Sequence, residues 1–409
     1  MNTWTSVHFA LYILHSTFVF MRVCVLMPFL DVYKGGNHLP LFRALPDVQF
    51  TVLTGSVHPK GVVLPANVRA VKLDGRLVSY YYGFADRRFA CEVLRTYPAG
   101  HPFWKDFDVL HLNQTLHPSL LTLQESGVPL LYAVHHPVTV DLGAALGESS
   151  PVTGLLWRAR YYSLIGWQRR ICREAPHIMT VSQTVAARLQ DDYTCDPAKI
   201  SIVPNGVDGE RFQPSLSLES FGRQARPDGR ETEFDCIAVG SFLHPRKGFR
   251  YLFETYRALT RDGVRIADVG KRSPTQRRQL QKLTGVTSFG TVPDDKITEL
   301  IQRSSILVST SLYEGFGLSL IEALACGRPA FAFDAGAVSE VLSPIDPSLV
   351  VPIRDSAALV RRVQEFLALS AEERLKRGNR YREEVLKRYS LRASADALRA
   401  VYERLCSTF

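Results

Sequence analysis

No CxxC pair occurs in the 409 residues, and the seven cysteines (Cys24, Cys91, Cys172, Cys195, Cys236, Cys326 and Cys406) stand singly. An odd, unclustered set in a chain this long excludes a disulfide framework or a cysteine-rich zinc module. It reads as reduced thiols in a cytosolic protein. Asn113-Gln114-Thr115 matches a glycosylation sequon, but the cysteine usage gives it little weight. No internal repeat or low-complexity tract is present. No GxGxxG opens the first β-α-β pattern, which disfavours a nicotinamide oxidoreductase.

The first 21 residues contain no Asp, Glu, Lys or Arg. A secretory signal wants a positive start and a small-residue cleavage site, and neither is evident. A spanning helix needs about 20 mainly apolar residues, but Asn2, Thr3, Thr5, Ser6, His8, His15, Ser16 and Thr17 interrupt the run. Residues 1–20 therefore read as an N-terminal extension, with the functional chain beginning at Met21. A weak membrane anchor is the alternative.

What is present describes an ordinary folded chain: 46% hydrophobic and 22% charged residues. The length fits two or three domains of about 100–200 residues. The 49 basic against 40 acidic residues give a net charge of +9. That charge would suit nucleic acid, an anionic membrane or a phosphorylated substrate without choosing among them.

From Met21 onward, short apolar runs alternate with helix-length amphipathic stretches. Val23–Met27, Phe50–Leu53, Val109–Leu112, Leu130–Val134, His177–Val181 and Ile200–Val203 predict one series of strands. Cys236–Val239, Ile266–Val269, Val286–Phe289, Ile306–Val308 and Ala330–Phe333 predict a second. This alternation indicates parallel sheets covered by helices on both faces. Between the series, Gln213–Glu233 is rich in Ser, Pro, Gly and Arg and reads as a linker. The fold class is thus α/β, two Rossmann-like doubly wound domains facing each other across a cleft. In such sheets ligands bind beyond the carboxyl ends of the strands. Ala371 to Phe409 is helix-like, with Leu391, Ala395, Leu398 and Val401-Tyr402 spaced for one buried face.

The strongest local signal runs from Tyr313 to Pro329. A strand enters a turn containing Gly315 and Gly317, and a helix starts near Leu318. The glycines let backbone N–H groups approach a ligand, and the helix start favours phosphate. Glu322 lies in an otherwise apolar helical run, where a carboxylate is costly without a partner. A ribose diol would be a suitable one; an interdomain ion pair is the structural alternative.

Glu314 and Glu322, in the frame EGFGLSLIEALACGRPAFAFDAGAVSEVL, resemble the EX7E signature of the family 4 retaining glycosyltransferases (glycosyl transferases group 1), which have the GT-B fold. The resemblance covers most of Met21–Phe409 and is densest from Ile178 to Leu342. It implies that Glu322 binds the nucleotide ribose. It also implies that Glu314, with the amides of Gly315, Phe316, Gly317 and Leu318, holds the sugar and diphosphate. Ile200–Asp208, followed by Phe212 and Pro214, resembles the strand and turn that close the family's N-terminal domain.

Val239–Phe242 with Arg246-Lys247-Gly248 occupies the family's donor-phosphate strand and loop. Many relatives carry an arginine directly after the first glycine, where this chain has Ser241; Arg246 is the candidate to replace it. Lys247 offers a compact charge to a diphosphate whose negative charge grows as the glycosidic bond breaks. Lys34-Gly35-Gly36-Asn37-His38 follows the first strand, where the family's Gly-Gly loop faces the donor phosphate, and this places Gly35 and Gly36 at the donor. His38 reads as a helix-start residue. Pro129–His136 resembles the family strand that ends in a histidine beside the reactive sugar, which assigns that place to His135, with His136 second.

Asp106-Phe107-Asp108 is formally a DxD, but it sits at a strand entry, away from the ligand end, so no metal is expected there. Leu155–Arg173 carries Arg158, Arg160, Arg169, Arg170 and Arg173, no acid, and four aromatic residues. Such a helix suits an anionic membrane surface, or else packs on its domain with a solvated arginine face.

The reading that follows is a metal-independent, hexosyltransferase-type glycosyltransferase. It needs no cofactor beyond its nucleotide-sugar donor, and it acts on a glycan or lipid-linked acceptor without nucleic acid. Its expected place is the cytoplasm, or peripherally the inner membrane face. The expected units are an extension over 1–20, an acceptor-side domain over 21–210, a donor domain over 211–388, and a C-terminal helix over 389–409 packing back on the first domain. A sugar-nucleotide epimerase or hydrolase of the same fold, or a non-catalytic binder, is the competing reading.

Overall fold

The computed structural model describes residues 20–31, 39–58, 63–73, 84–113, 117–148, 150–214 and 232–408. Gly35, Gly36 and His38 lie outside them, as do most of the expected linker and the Gln114-Thr115 part of the sequon.

Seven parallel strands form the first sheet, in the order Val68–Lys72, Val48–Thr54, Met21–Leu26, Val109–Asn113, Leu130–Ala133, His177–Thr180 and Ile200–Ile202. Six form the second: Val286–Gly290, Ile266–Val269, Phe234–Val239, Ser304–Ser309, Ala330–Phe333 and Val350–Val351. A two-stranded ribbon pairs Phe29–Asp31 with Ser56–His58. The central strands are apolar on both faces because helices cover both: Val23, Cys24, Val25 and Leu26 are all fully buried, as are Cys236, Ile237 and Ala238.

Strand order places the ligand crevices. In the second sheet the first strand, Phe234–Val239, lies between Ile266–Val269 and Ser304–Ser309. The loops leaving Phe234–Val239 and Ser304–Ser309 therefore diverge around a switch point. They carry Arg246-Lys247 and Glu314–Gly317. In the first sheet Leu130–Ala133 ends beside Asn113 and delivers His135 to the same side.

The tail is two helices, Ala371–Tyr389 and Leu391–Ser407, where the sequence reads as one helix-like stretch. The break is at Ser390: its side chain caps the second helix by accepting from Ala393 N–H, and its backbone bridges Val207. Val207 N–H donates to Tyr389 O, and Leu391 N–H donates to Val207 O. The final helix buries Ala395, Leu398, Val401 and Tyr402 in the core of the first domain. Tyr402 Oη lies 2.7 Å from His111 Nδ1 in that core. Burial pushes His111 down to about 3, so the ring is neutral there.

The arginine-rich stretch forms one helix, Pro151–Glu174, with Tyr161, Leu164, Ile171 and Cys172 buried. Its outer face leaves Val152, Leu155, Leu156 and Tyr162 exposed. Among the described residues no helix is long and apolar enough to cross a membrane.

Candidate functional site

The helix Leu318–Ala325 begins at Gly317, whose φ of +94° is a left-handed conformation that favours glycine. Gly317 brings no side-chain cap. The first-turn amides of any helix lack a carbonyl one turn back, so this end offers N–H groups and partial positive charge to an anion. Gly315 is required for a different reason. A Cβ there would stand 2.5 Å from the backbone oxygen of His135 in the facing domain. The EX7E turn and the strand-end histidine are thus pressed together across the cleft. Ser182 Oγ adds a hydrogen bond to Gly315 O at 2.9 Å.

Arg246 and Lys247 sit in a short 3-10 turn, Pro245–Lys247, after which Gly248 starts the helix Phe249–Arg261. Lys247 Nζ donates to Glu314 Oε1 at 2.5 Å. Arg246 Nη1 donates to Tyr313 O at 3.1 Å and stands 3.9 Å from Glu314 Oε2. Burial works against ionising Glu314, but Lys247 and Arg246 outweigh it and hold the carboxyl down at about 2. Glu314 is therefore a carboxylate at any working pH.

Glu322 lies one turn into the helix Leu318–Ala325 and behaves in the opposite way. Burial pushes its carboxyl up to about 7, with Asp294 adding to the rise and Arg211 opposing it. Arg211 Nη2 lies 3.7 Å from Asp294 Oδ2. Asp294 opens the helix Asp294–Gln302 just after the strand Val286–Gly290, so the segment from Gly290 to Ile297 adjoins Glu322.

His135 Nε2 lies 3.1 Å from Asn113 Oδ1. Burial pushes the ring down to about 4, so it is a neutral imidazole. The structure thus gathers His135, Arg246, Lys247, Glu314 and the Gly315–Leu318 turn around one cleft, with Glu322 behind them.

Ser241 is exposed, and the loop it belongs to is held from the loop that follows the neighbouring strand Ile266–Val269. Arg272 Nη1 donates to Gly240 O at 2.6 Å, its Nη2 to Asp268 Oδ1 at 2.5 Å, and its guanidinium lies 4.3 Å over the Phe242 ring. Asp106 and Asp108 lie at the opposite, entry end of the strand Val109–Asn113, where Asp108 Oδ2 accepts from Arg22 N–H at 2.7 Å. A cavity of about 410 Å³ lined by Glu233, Arg265, Val286 and Arg303 also opens at strand entries, away from this cleft.

Three further residues, to which the sequence reading gives no place in the cleft, complete it. Asp141, on the helix Val138–Gly147, accepts from His136 Nε2 at 3.1 Å and pairs with Arg246 Nε at 2.8 Å. Glu340 accepts from Gln183 N–H and Thr184 N–H, both at 2.8 Å, capping a helix of the other domain. Tyr161 Oη meets His244 Nε2 at 3.0 Å. The helical signal around Asp141 is visible in the sequence; its partner on the other domain is not.

The model of "Glycosyltransferase Family 4" matches residues 47–211, and that of "Glycosyl transferases group 1" matches residues 233–368. The chain is 31% identical over 364 residues to the MMP alpha-(1->4)-mannosyltransferase of Mycolicibacterium hassiacum, covering 85% of this chain and 82% of that one. It is 28% identical over 356 residues to the phosphatidyl-myo-inositol mannosyltransferase of Mycolicibacterium smegmatis, covering 82% of each. Among solved structures, sucrose-phosphate synthase from Thermosynechococcus elongatus superposes with a TM-score of 0.75 at 18% identity, over 95% of this chain and all of that one. Anabaena HepE in complex with UDP and glucose gives a TM-score of 0.68 at 16% identity, over 94% and 99%. The facing parallel-sheet domains are the GT-B fold, and the chain belongs to the group 1, family 4 glycosyltransferases.

Proposed function

We propose that this glycosyltransferase moves a hexosyl group from a nucleotide-diphosphate sugar to an acceptor hydroxyl, with retention of configuration and without a metal ion. One observation carries the reading: Lys247 and Arg246 stand against Glu314 at the uncapped start of the helix Leu318–Ala325, with Glu322 one turn beyond. In this reading the bond between the anomeric carbon and the diphosphate oxygen breaks, and its electron pair leaves with the diphosphate. Lys247, Arg246 and the amides after Glu314 stabilise that charge, the work a metal ion does in other sites. The acceptor oxygen attacks the same face of an oxocarbenium-like sugar and gives its proton to the departing phosphate oxygen. Neutral His135 positions a sugar hydroxyl, and Glu322 takes the ribose diol.

The relatives' names, a mannosyltransferase and a phosphatidyl-myo-inositol mannosyltransferase, put mannosyl donors and polyol or glycolipid acceptors first in a screen. The test is product analysis with UDP-, GDP- and ADP-sugars, with and without acceptor and with a chelator. The expected product keeps the donor's anomeric configuration, and the chelator changes nothing. Lys247→Ala is expected to lower turnover by about 100-fold, the usual cost of one transition-state donor, and Glu314→Ala, which strips Lys247 of its partner, to lower it strongly as well. Full turnover in both would overturn the site.

The outer face of the helix Pro151–Glu174 favours a place at an anionic membrane surface. Val152, Leu155, Leu156 and Tyr162 are exposed beside Arg158 and Arg160. Sedimentation with phosphatidylglycerol vesicles should carry the protein down at low salt, and phosphatidylcholine vesicles should not. Equal binding to both would remove the charge argument.

A further inference from the structure

Asp141 belongs to the acceptor-side domain, yet its carboxylate is spent on the donor loop of the other. It is nearly fully buried, and both of its oxygens are engaged: Oδ2 with His136 Nε2 at 3.1 Å, Oδ1 with Arg246 Nε at 2.8 Å. His136 is itself held, its backbone oxygen accepting from Gln168 Nε2 at 3.1 Å while Gln168 Oε1 accepts from Val138 N–H at 2.7 Å. The anchor is therefore built into the fold of its own domain.

Arg246 is correspondingly fixed on two sides. Its Nε stands 2.8 Å from Asp141 Oδ1 as an ion pair without the alignment of a hydrogen bond, while Nη1 donates to Tyr313 O and faces Glu314. A guanidinium is a planar fork, so the Nη1 bond to Tyr313 O orients the group while the Asp141 charge draws its Nε edge toward the facing domain. The turn that carries it is docked on the same domain a second time. His244 Nδ1 accepts from Arg246 N–H at 3.1 Å, which leaves the ring proton on Nε2 to donate to Tyr161 Oη. Exposed ion pairs between mobile chains hold little; this pair is shielded, and losing one partner strands the other.

We infer that Asp141 is a positioning residue: it reaches across the cleft and aims Arg246 at the donor diphosphate only when the two domains are closed. The inference rests on the donor-site reading above. It adds that orientation of the phosphate cation and closure of the cleft are one event, governed by a residue on the acceptor side. Because Asp141 would act on the donor through the arginine, its loss should spare donor affinity and slow the chemical step.

The test is a double-mutant cycle of Asp141→Asn, Arg246→Gln and the double variant, read as kcat and donor KM with the UDP- or GDP-sugar that the wild type consumes. Asp141→Asn is expected to lower kcat about tenfold and leave donor KM within about threefold, with the double variant no slower than Arg246→Gln alone. Additive losses, or a normal kcat in Asp141→Asn, would overturn the inference. If Lys247→Ala and Arg246→Gln also turn over normally, the donor-site reading has failed instead. A ligand-free measurement stands beside this. Amide hydrogen exchange over residues 243–249 should quicken in Asp141→Asn while the helix Leu318–Ala325 keeps its protection, and an unchanged loop would count against the anchor.

Discussion

Glu322→Gln should stabilise the protein at pH 8 and weaken its hold on a nucleotide. The carboxyl of Glu322 is pushed up from 4.5 to about 7, chiefly by burial. Between those values the unfolded chain has released a proton that the folded chain keeps. Folding then takes up a proton, so stability falls as pH rises from about 4.5 through 7 and stays low above it. At roughly 1.4 kcal/mol for each pKa unit, the ionised carboxylate costs about 1 to 3 kcal/mol once its accessible edge is allowed for. Glutamine has nearly the same shape and no charge to desolvate.

Calorimetric unfolding at pH 5 and pH 8 reads the effect. The variant should match the wild type closely at pH 5 and melt a few degrees higher at pH 8. The cost appears in binding: a charged acceptor for ribose hydroxyls contributes about 1.5–3 kcal/mol, so UDP or GDP affinity should fall by about 10- to 100-fold. In the wild type that affinity should rise with pH through 7, as the carboxylate forms. An identical pH dependence of melting in both proteins would refute the electrostatic reasoning. Unchanged nucleotide affinity would remove Glu322 from the nucleoside site.

Gly315→Ala places a methyl group 2.5 Å from His135 O, and relief comes most easily by parting the domains; nucleotide binding should persist while turnover drops at least about tenfold. Normal turnover would mean that the close approach is not needed for chemistry. His135 is held at about 4 by burial, so its ring should stay neutral down to pH 5, and protonation should begin to cost stability only as pH falls through 6.5 toward 4. An imidazole resonance of His135 titrating near 6.5 in NMR would refute this.

The strands that were legible in the sequence are the buried ones. Val23–Met27 and Cys236–Val239 stand out because helices cover both faces and nothing polar interrupts them. Val68–Lys72 is an edge strand whose Arg69 and Lys72 break the apolar run, and Val350–Val351 is two residues long, so neither rises above the background. The turn at Gly317 and the helix from Leu318 were readable because glycine chemistry and helix periodicity are local. The close packing of Gly315 on His135 O was not, because it joins residues 180 positions apart on separate sheets. Arg272, tying down Gly240 from the loop after the neighbouring strand, was not legible either, because its contact spans 32 positions and depends on which strands pair.

Under the proposed function, the charges around the cleft link closure to donor recognition. Arg246 and Lys247 are balanced in this structure by Asp141 and Glu314, each carboxylate facing a cation that a phosphate would otherwise meet. One of these carboxylates comes with the donor domain and accompanies the loop wherever it moves; the other arrives only with the facing domain. Glu340, capping the helix Gln183–Tyr193, and Ser182, bonded to Gly315 O, hold the same interface without touching the phosphate loop. If holding the domains together were all that Asp141 did, those contacts would serve. Its place on Arg246, whose Nη1 stands 3.9 Å from the Glu314 carboxylate that Lys247 also grips, would tie closure to the cation proposed to meet the leaving group.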